Sequence, residues 1–440
     1  MNNKEILELA HWVIAQAKKA GADDTAVNLT KQRSIEIGFR DRKLEELTES
    51  TQNSLSLDIY SGGKYSSHST NDLRRGELEK FINEAVSMTK YLNEDPFRTL
   101  PDPKYYTGQE NIDLKLMDAE YEKIESNQRV DIAREIEDTA LGQSDRIISV
   151  NSGYSDGHFM TAKVHSNGFE GWREESSYSA GVSVTIHDDG DGRPQDYEWV
   201  VVRFLRDLPP PSKLGEKAVE RSLEKIGQTK MPSGVYDMVV ENRAASRLLG
   251  NLGDPLRGRS LQQKSSFLEG KLGSKIASEK FTVIDDPLII GGLGSRLFDG
   301  EGMATRRRLI IDHGILKEYF IDTYYGKKLG MEPTIGSPTN VVFEYGDKSA
   351  EEIIKDIKKG IYVTSFIGGN SNSTTGDFST GIIGMYIEDG KIIKPVNEMN
   401  ISGNQIDFWN QLVEVGNDPY IYSSMRRPTL HFRDVQFSGI

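Results

Sequence analysis

Before residue 230 the chain runs twice through one order of patterns, and after residue 234 that order stops. Residues 4–20 place Ile6, Leu7, Ala10, Val13, Ile14 and Ala17 at helical spacing, and Gly21 is a natural stop. Alternating runs follow, with Ile35, Ile37 and Phe39 in one and Leu55, Leu57 and Ile59 in another. Gly62-Gly63 reads as a hairpin turn before residues 64–67, and residues 72–92 return to helical spacing. A connection marked by Pro96, Pro101 and Pro103 then leads to a predicted long, charged helix over 116–141. Strand-like runs at 147–150, 158–165, 177–186 and 197–204 come next, then Pro209-Pro210-Pro211 and a short helix over 213–226. Helix, several strands, helix thus occurs twice, which admits a structural duplication although the residues themselves do not visibly repeat.

From Gly234 glycine becomes frequent and helical patterns few. Candidate strands are 236–240, 281–284, 308–311, 315–320, 361–366, 382–388 and 391–396. Asp312-His313-Gly314 and Glu388-Asp389-Gly390 are short enough to join antiparallel neighbours. The expected class is α+β: an N-terminal α+β domain over 1–230 and a β-rich, mainly antiparallel C-terminal domain over 231–440, with the boundary near 227–233.

The 440 residues contain no cysteine, which removes disulfides, thiolate nucleophiles and thiolate metal sites. A net charge of −13 argues against a general nucleic-acid binder, which carries a basic face. The densest basic run, Arg306-Arg307-Arg308, reads as an exposed strand end. No apolar stretch approaches the ~20 residues that span a bilayer. Glu5 and Glu8 interrupt any signal-peptide core, so a cytoplasmic location is expected.

The chemical motifs are individually modest. The seven histidines include no pair at the i, i+3 or i, i+4 spacing that puts two imidazoles on one helix face. The segment from His187 to Gly192 resembles a calcium loop, but a register starting at Asp189 puts Arg193 and Pro194 at positions 5 and 6, and a hairpin tip fits better. The Gly/Asn/Ser/Thr-rich stretch 368–379 is neither a phosphate-binding loop nor a nucleophile elbow; it is a multi-turn connection or the lining of a cleft. Phe298-Asp299-Gly300-Glu301-Gly302 places two carboxylates where they could do acid–base work or cap a turn, and residue chemistry favours the turn.

Taken in order, several of these segments resemble the C-terminal half of the TldD/PmbA family, also called modulator of DNA gyrase. They are Asp254-Pro255-Leu256-Arg257-Gly258, Gln263-Lys264-Ser265-Ser266-Phe267-Leu268, Leu272-Gly273 and Thr282-Val283-Ile284-Asp285-Asp286-Pro287. The series continues with the Phe298 to Gly302 motif, Gly376-Asp377-Phe378-Ser379, Glu414-Val415-Gly416-Asn417-Asp418 and Arg427-Pro428-Thr429-Leu430. The resemblance implies a metallopeptidase fold in which TldD-like members carry a His-Glu-x-x-x-His helix and a later cysteine as zinc ligands. Here the corresponding stretch reads Glu241-Asn242-Arg243-Ala244-Ala245-Ser246-Arg247, with the helix expected and the ligands lost. The match is therefore to the PmbA/TldE branch. It implies no catalytic residue and no metal in this chain, zinc only in a TldD-like partner, and a non-catalytic role in a complex that cleaves unfolded peptides. It also implies a homodimer when the chain is alone. Gln263, Lys264, Phe298, Asp299, Glu301, Asp377 and Ser379 are the candidate substrate-cleft residues. Two alternatives stay open: a stand-alone metallopeptidase with an unrecognised metal site, and a gyrase-modulating binding protein.

Overall fold

The computed structural model describes residues 3–440, and the chain is α+β. Helix α1 (Asn3–Ala20) leads into strands β1 (Asp24–Arg40), β2 (Lys43–Ser61) and β3 (Lys64–Thr70), then helix α2 (Arg75–Thr89). Helix α3 (Ser126–Leu141) leads into β4 (Ile147–His165), β5 (Glu170–Ile186) and β6 (Gln195–Val202), then α4 (Pro211–Leu223). The six strands form one antiparallel sheet in the order β3-β2-β1-β4-β5-β6, with β1 and β4 paired at its centre.

Alternation decides which face is covered. Val27 and Leu29 of β1 pack with Leu55, Leu57 and Ile59 against Ile6, Val13, Leu78 and Ile82 of α1 and α2. Ile35, Ile37 and Phe39 lie on the same face of the same strand but pack against Ile136 of α3 and Ala218 of α4. One strand thus serves two helix pairs.

Several boundaries differ from expectation, and three have a clear local cause. The runs at 147–150 and 158–165 belong to a single strand, because Gly153 pairs through the ladder and gives room to Trp199, whose ring would lie 2.9 Å from an added Cβ. The predicted helix over 116–141 starts only at Ser126. The Asp118 carboxylate accepts from Glu120 N, Tyr178 Oη and Leu205 N, so local bonds hold the preceding stretch in turns. The 315–320 run is a strand only over β10, given below; Phe320 instead bonds through its backbone to Leu256 and Gly258.

Beyond residue 230 the strands are β7 (Gly234–Val240), β8 (Val283–Asp285), β9 (Arg308–Asp312), β10 (Ile315–Leu316), β11 (Val341–Phe343), β12 (Lys359–Ser371), β13 (Asp377–Glu388), β14 (Lys391–Asn404), β15 (Leu412–Val415) and β16 (Leu430–Ser438). Strands β8–β11 form a small four-stranded sheet. The others form a six-stranded sheet in the order β14-β13-β12-β7-β16-β15, and a further β14–β16 pairing curls it towards a barrel. Pairing is antiparallel except between β12 and β7. The two short turns behave as expected: His313-Gly314 and Asp389-Gly390 all have positive φ, the geometry that matches hairpin twist. At Gly314 a Cβ would sit 2.2 Å from the Ala277 carbonyl oxygen, so no side chain fits. Among the described residues, no helix is long and apolar enough to cross a membrane.

Candidate functional site

Strand β7 ends at Val240, and the chain turns through Glu241, Asn242, Arg243, Ala244 and Ala245 before helix α5 (Ser246–Gly253). The helix expected over 241–247 therefore begins at Ser246. The preceding residues form a turn closed by Ala245 N–H on the Glu241 carbonyl.

The side chains of this turn are committed to other partners. Arg221 of α4 donates two bonds of 2.6 Å to the Glu241 carboxylate. Asn242 donates to the Asp418 carbonyl. Arg243 donates to Asp196 at 2.7 Å and to the Tyr197 carbonyl, which ties the turn to β6. Asp196 sits at the centre of a buried group, with Lys225 at 2.9 Å and Arg221 at 3.6 Å. Burial alone would raise its pKa; Arg243, Lys225 and Arg221 outweigh burial and hold it at about 2. Burial would lower the pKa of Arg221, yet the Glu241, Asp196 and Glu198 carboxylates raise it.

Catalytic zinc takes about three nitrogen, oxygen or sulfur ligands and leaves a position for water. The residues at this turn do not fit that requirement. The one carboxylate, Glu241, already holds a guanidinium, and the buried Arg243 guanidinium places a fixed positive charge beside it. Among the described residues, no group of three or more His, Cys, Asp and Glu side chains is arranged to hold a metal ion.

Next to the turn lies an open cleft of about 430 Å³. Arg243, Ser246 and Arg247 line one side, and Thr364, Ser365, Phe366, Gly368 and Gly369 of β12 line the other. Strand β7 pairs with β12 only from Gly360 to Val363, and the Glu241 N–H bond to the Val363 carbonyl closes that ladder. Beyond it β12 continues to Ser371, with β13 as its sole strand partner among the described residues. Its other edge faces the cleft. Residues 367–371 are exposed, and the strand loses its pleat at Gly368 and Gly369, where φ is +57° and +90°.

Of the predicted cleft residues, two pairs come near one another. Asp377 and Ser379 open β13; Ser379 pairs with Asn370, and Asp377 accepts from Thr375 and Asn404. Gln263 and Lys264 are exposed at the end of helix α6 (Gly258–Gln262), on a segment whose Phe267 N–H donates to the Ser373 carbonyl. The 263–268 segment and the β12–β13 hairpin thus meet.

Phe298, Asp299 and Glu301 stand apart from these. Asp299 is buried, and its carboxylate accepts from Glu301 N and Met303 N, the turn that residue chemistry favours. Glu301 accepts from the backbone and hydroxyl of Thr323, at the start of helix α7 (Thr323–Leu329). Burial raises its pKa to about 7 despite the Thr323 N–H. Phe298 stacks edge-on against Phe169, the Lys163 ammonium donates to the Gly300 carbonyl, and both partners belong to the first sheet or its β4–β5 turn. Phe298 also lines a second cleft of about 610 Å³, with Trp172, Phe204 and residues 112–120. The basic run is less exposed than expected, because Arg308 is buried between Asp285 and Glu318.

Asp196, Arg221, Lys225 and the 364–366 edge were not candidates, whereas Gly368 and Gly369 belong to the stretch read as a connection or the lining of a cleft. Asp196 and Lys225 carry no local motif; only the fold brings β6, α4 and the 241–245 turn together.

Three domain models of one metallopeptidase family match the chain in order: PmbA/TldA metallopeptidase domain 1 over residues 26–89, the central domain over 120–226 and the C-terminal domain over 233–439. The chain belongs to the PmbA/TldD family. It is 27% identical over 439 residues to Metalloprotease PmbA of Escherichia coli O157:H7, covering 99% of this chain and 97% of that one. A Bacteroides thetaiotaomicron crystal structure described as a candidate modulator of DNA gyrase is 44% identical, with a TM-score of 0.97 and full coverage of both chains. The crystal structure of TldE from Thermococcus kodakarensis shares the fold, with a TM-score of 0.87 at 21% identity, covering 98% of this chain and 100% of that one.

Proposed function

We propose that this chain is the non-catalytic, PmbA/TldE-like subunit of a two-subunit metallopeptidase and that it helps hold an unfolded peptide for a zinc-bearing, TldD-like partner. The observation that carries this reading is the state of the 241–245 turn. Glu241 accepts from Arg221, and Asn242 and Arg243 donate to Asp418 and Asp196, while the strand edge beside them stays open. A chain that has lost the means to activate water and kept a main-chain edge is suited to holding an extended peptide, since such edges bind by strand addition. Alone, the chain forms a homodimer through the surface it would offer the partner, because related folds present related self-complementary patches. A cytoplasmic setting, where unfolded chains are a substrate, accords with this role.

Mixing decides the matter. An unfolded peptide is cleaved when this chain and a TldD-like subunit are combined, and is left intact by this chain alone. Equal cleavage by the zinc-bearing subunit with this chain omitted, or EDTA-sensitive cleavage by this chain alone, overturns the assignment.

A further inference from the structure

The cleft beside α5 has an uneven charge. Its lining contains two guanidiniums and no carboxylate, in a chain whose net charge is −13. The Arg243 charge is met from behind by Asp196. The Arg247 charge is not: the side chain is exposed, forms no ion pair among the described residues, and donates to the Gly368 carbonyl at 3.0 Å. Arg247 therefore stands at one end of the free β12 edge with donors to spare, since a guanidinium carries five N–H groups. The hydroxyls of Ser246, Thr364 and Ser365 line the same space.

We propose that this cleft captures the C-terminal carboxylate of an extended peptide. The last residues of the peptide pair with the free edge of 364–367, and the terminal carboxylate meets the Arg247 guanidinium. Charge sets the direction. Arg247 sits where β12 reaches Gly368, so a peptide parallel to β12 brings its C-terminus to the cation. Strand β7 already pairs with β12 in that sense. An antiparallel peptide would set its ammonium against the guanidinium. The edge before the Gly368-Gly369 break is four residues long, about 13 Å at the rise of a strand, so it accommodates three or four peptide residues. Side chains alternating away from the edge leave the site tolerant of sequence and selective for the terminus. The inference deepens the peptide-holding reading above and rests on it.

The test uses this full chain alone, without a zinc-bearing partner. A labelled unstructured tetrapeptide is titrated as the free acid, as the C-terminal amide, and as an amide carrying an internal glutamate. The free acid binds roughly tenfold tighter than either amide, the worth of one charge-assisted hydrogen bond. Arg247→Gln abolishes that preference, and Arg247→Lys keeps part of it. Because Arg247 is exposed, the variants fold, which an unchanged melting curve verifies. Equal binding of acid and amide, equal binding of the internal-glutamate amide and the free acid, an acid preference that survives Arg247→Gln, or no binding of any peptide at millimolar concentration overturns the proposal. Failure of the mixing experiment with the acid preference intact would remove the subunit role and leave this site standing. Loss of the preference with successful mixing would do the reverse.

Discussion

Two turns in the C-terminal half carry paired charges, and they use them in opposite ways. The 241–245 turn gathers Glu241, Arg243 and the neighbouring Asp196, Arg221 and Lys225 into a compensated group, and beside it a cleft stays open to solvent. The 298–302 turn gathers Asp299 and Glu301 into a buried pocket where Lys163 is the nearby ammonium, and Phe169 and Phe298 pack over it. The Asp299 pKa is raised by burial, whereas that of Asp196 is lowered by its three cations in spite of burial. Buried charge thus has two fates: full pairing, or a shift towards the neutral form. The first leaves a rigid wall that a cleft can be built against. The second makes a joint.

Four substitutions bear on that contrast. Asp196→Asn strips the compensating charge from Arg243, Lys225 and Arg221, and a loss on the order of 3–5 kcal/mol in urea unfolding is expected. A loss below about 1 kcal/mol would mean the cations find other partners and the wall is not rigid. Phe298→Ala opens space against Phe169 and Gly171, and about 2–4 kcal/mol is expected from the same measurement.

Glu301 gives the third test, through pH. Its folded pKa of about 7 lies above the ordinary value of 4.5, so the folded state binds the proton more tightly. That contribution is fully present below about pH 4.5 and is lost as pH rises through about 7. Wild type should therefore lose on the order of 1–3 kcal/mol relative to Glu301→Gln between pH 5 and pH 8, read from paired unfolding curves. Parallel curves for the two proteins would show that Glu301 is solvated. The smallest effect is expected at Asp377→Ala, an unfolding curve barely displaced from that of wild type, because the carboxylate is exposed and, among the described residues, accepts from Thr375 and Asn404 alone. A larger loss would make the β12–β13 hairpin a third structural joint.

The first sheet was the more legible region. Period-two runs such as Ile35, Ile37 and Phe39 have one apolar face to bury, and their positions follow directly from alternation. The C-terminal sheet was less so. Strand β16 went unnoticed because Arg433 and Asp434 interrupt it, and its register shifts between Phe432 and Val435. At the site, the residue types at 241–247 were legible and their partners were not. Nothing around Asp196 announces that it will meet three cations from two separate segments. The β12 run was visible as a strand, but which edge stays open depends on β7 ending four pairs in.

The route by which the second sheet closes has a consequence for how the chain acquires its structure. Strand β7 pairs on one side with β12 and on the other with β16, joining Gly234 to Phe437. On a ribosome, β7 would emerge long before either neighbour. The first sheet, whose hairpins join consecutive strands, can form meanwhile, because local contacts close quickly and distant ones slowly. Residues 234–240 then wait as an unpaired apolar segment, the kind of stretch that chaperones shield. A protein proposed to hold unfolded chains would thus itself pass through a period of exposing one.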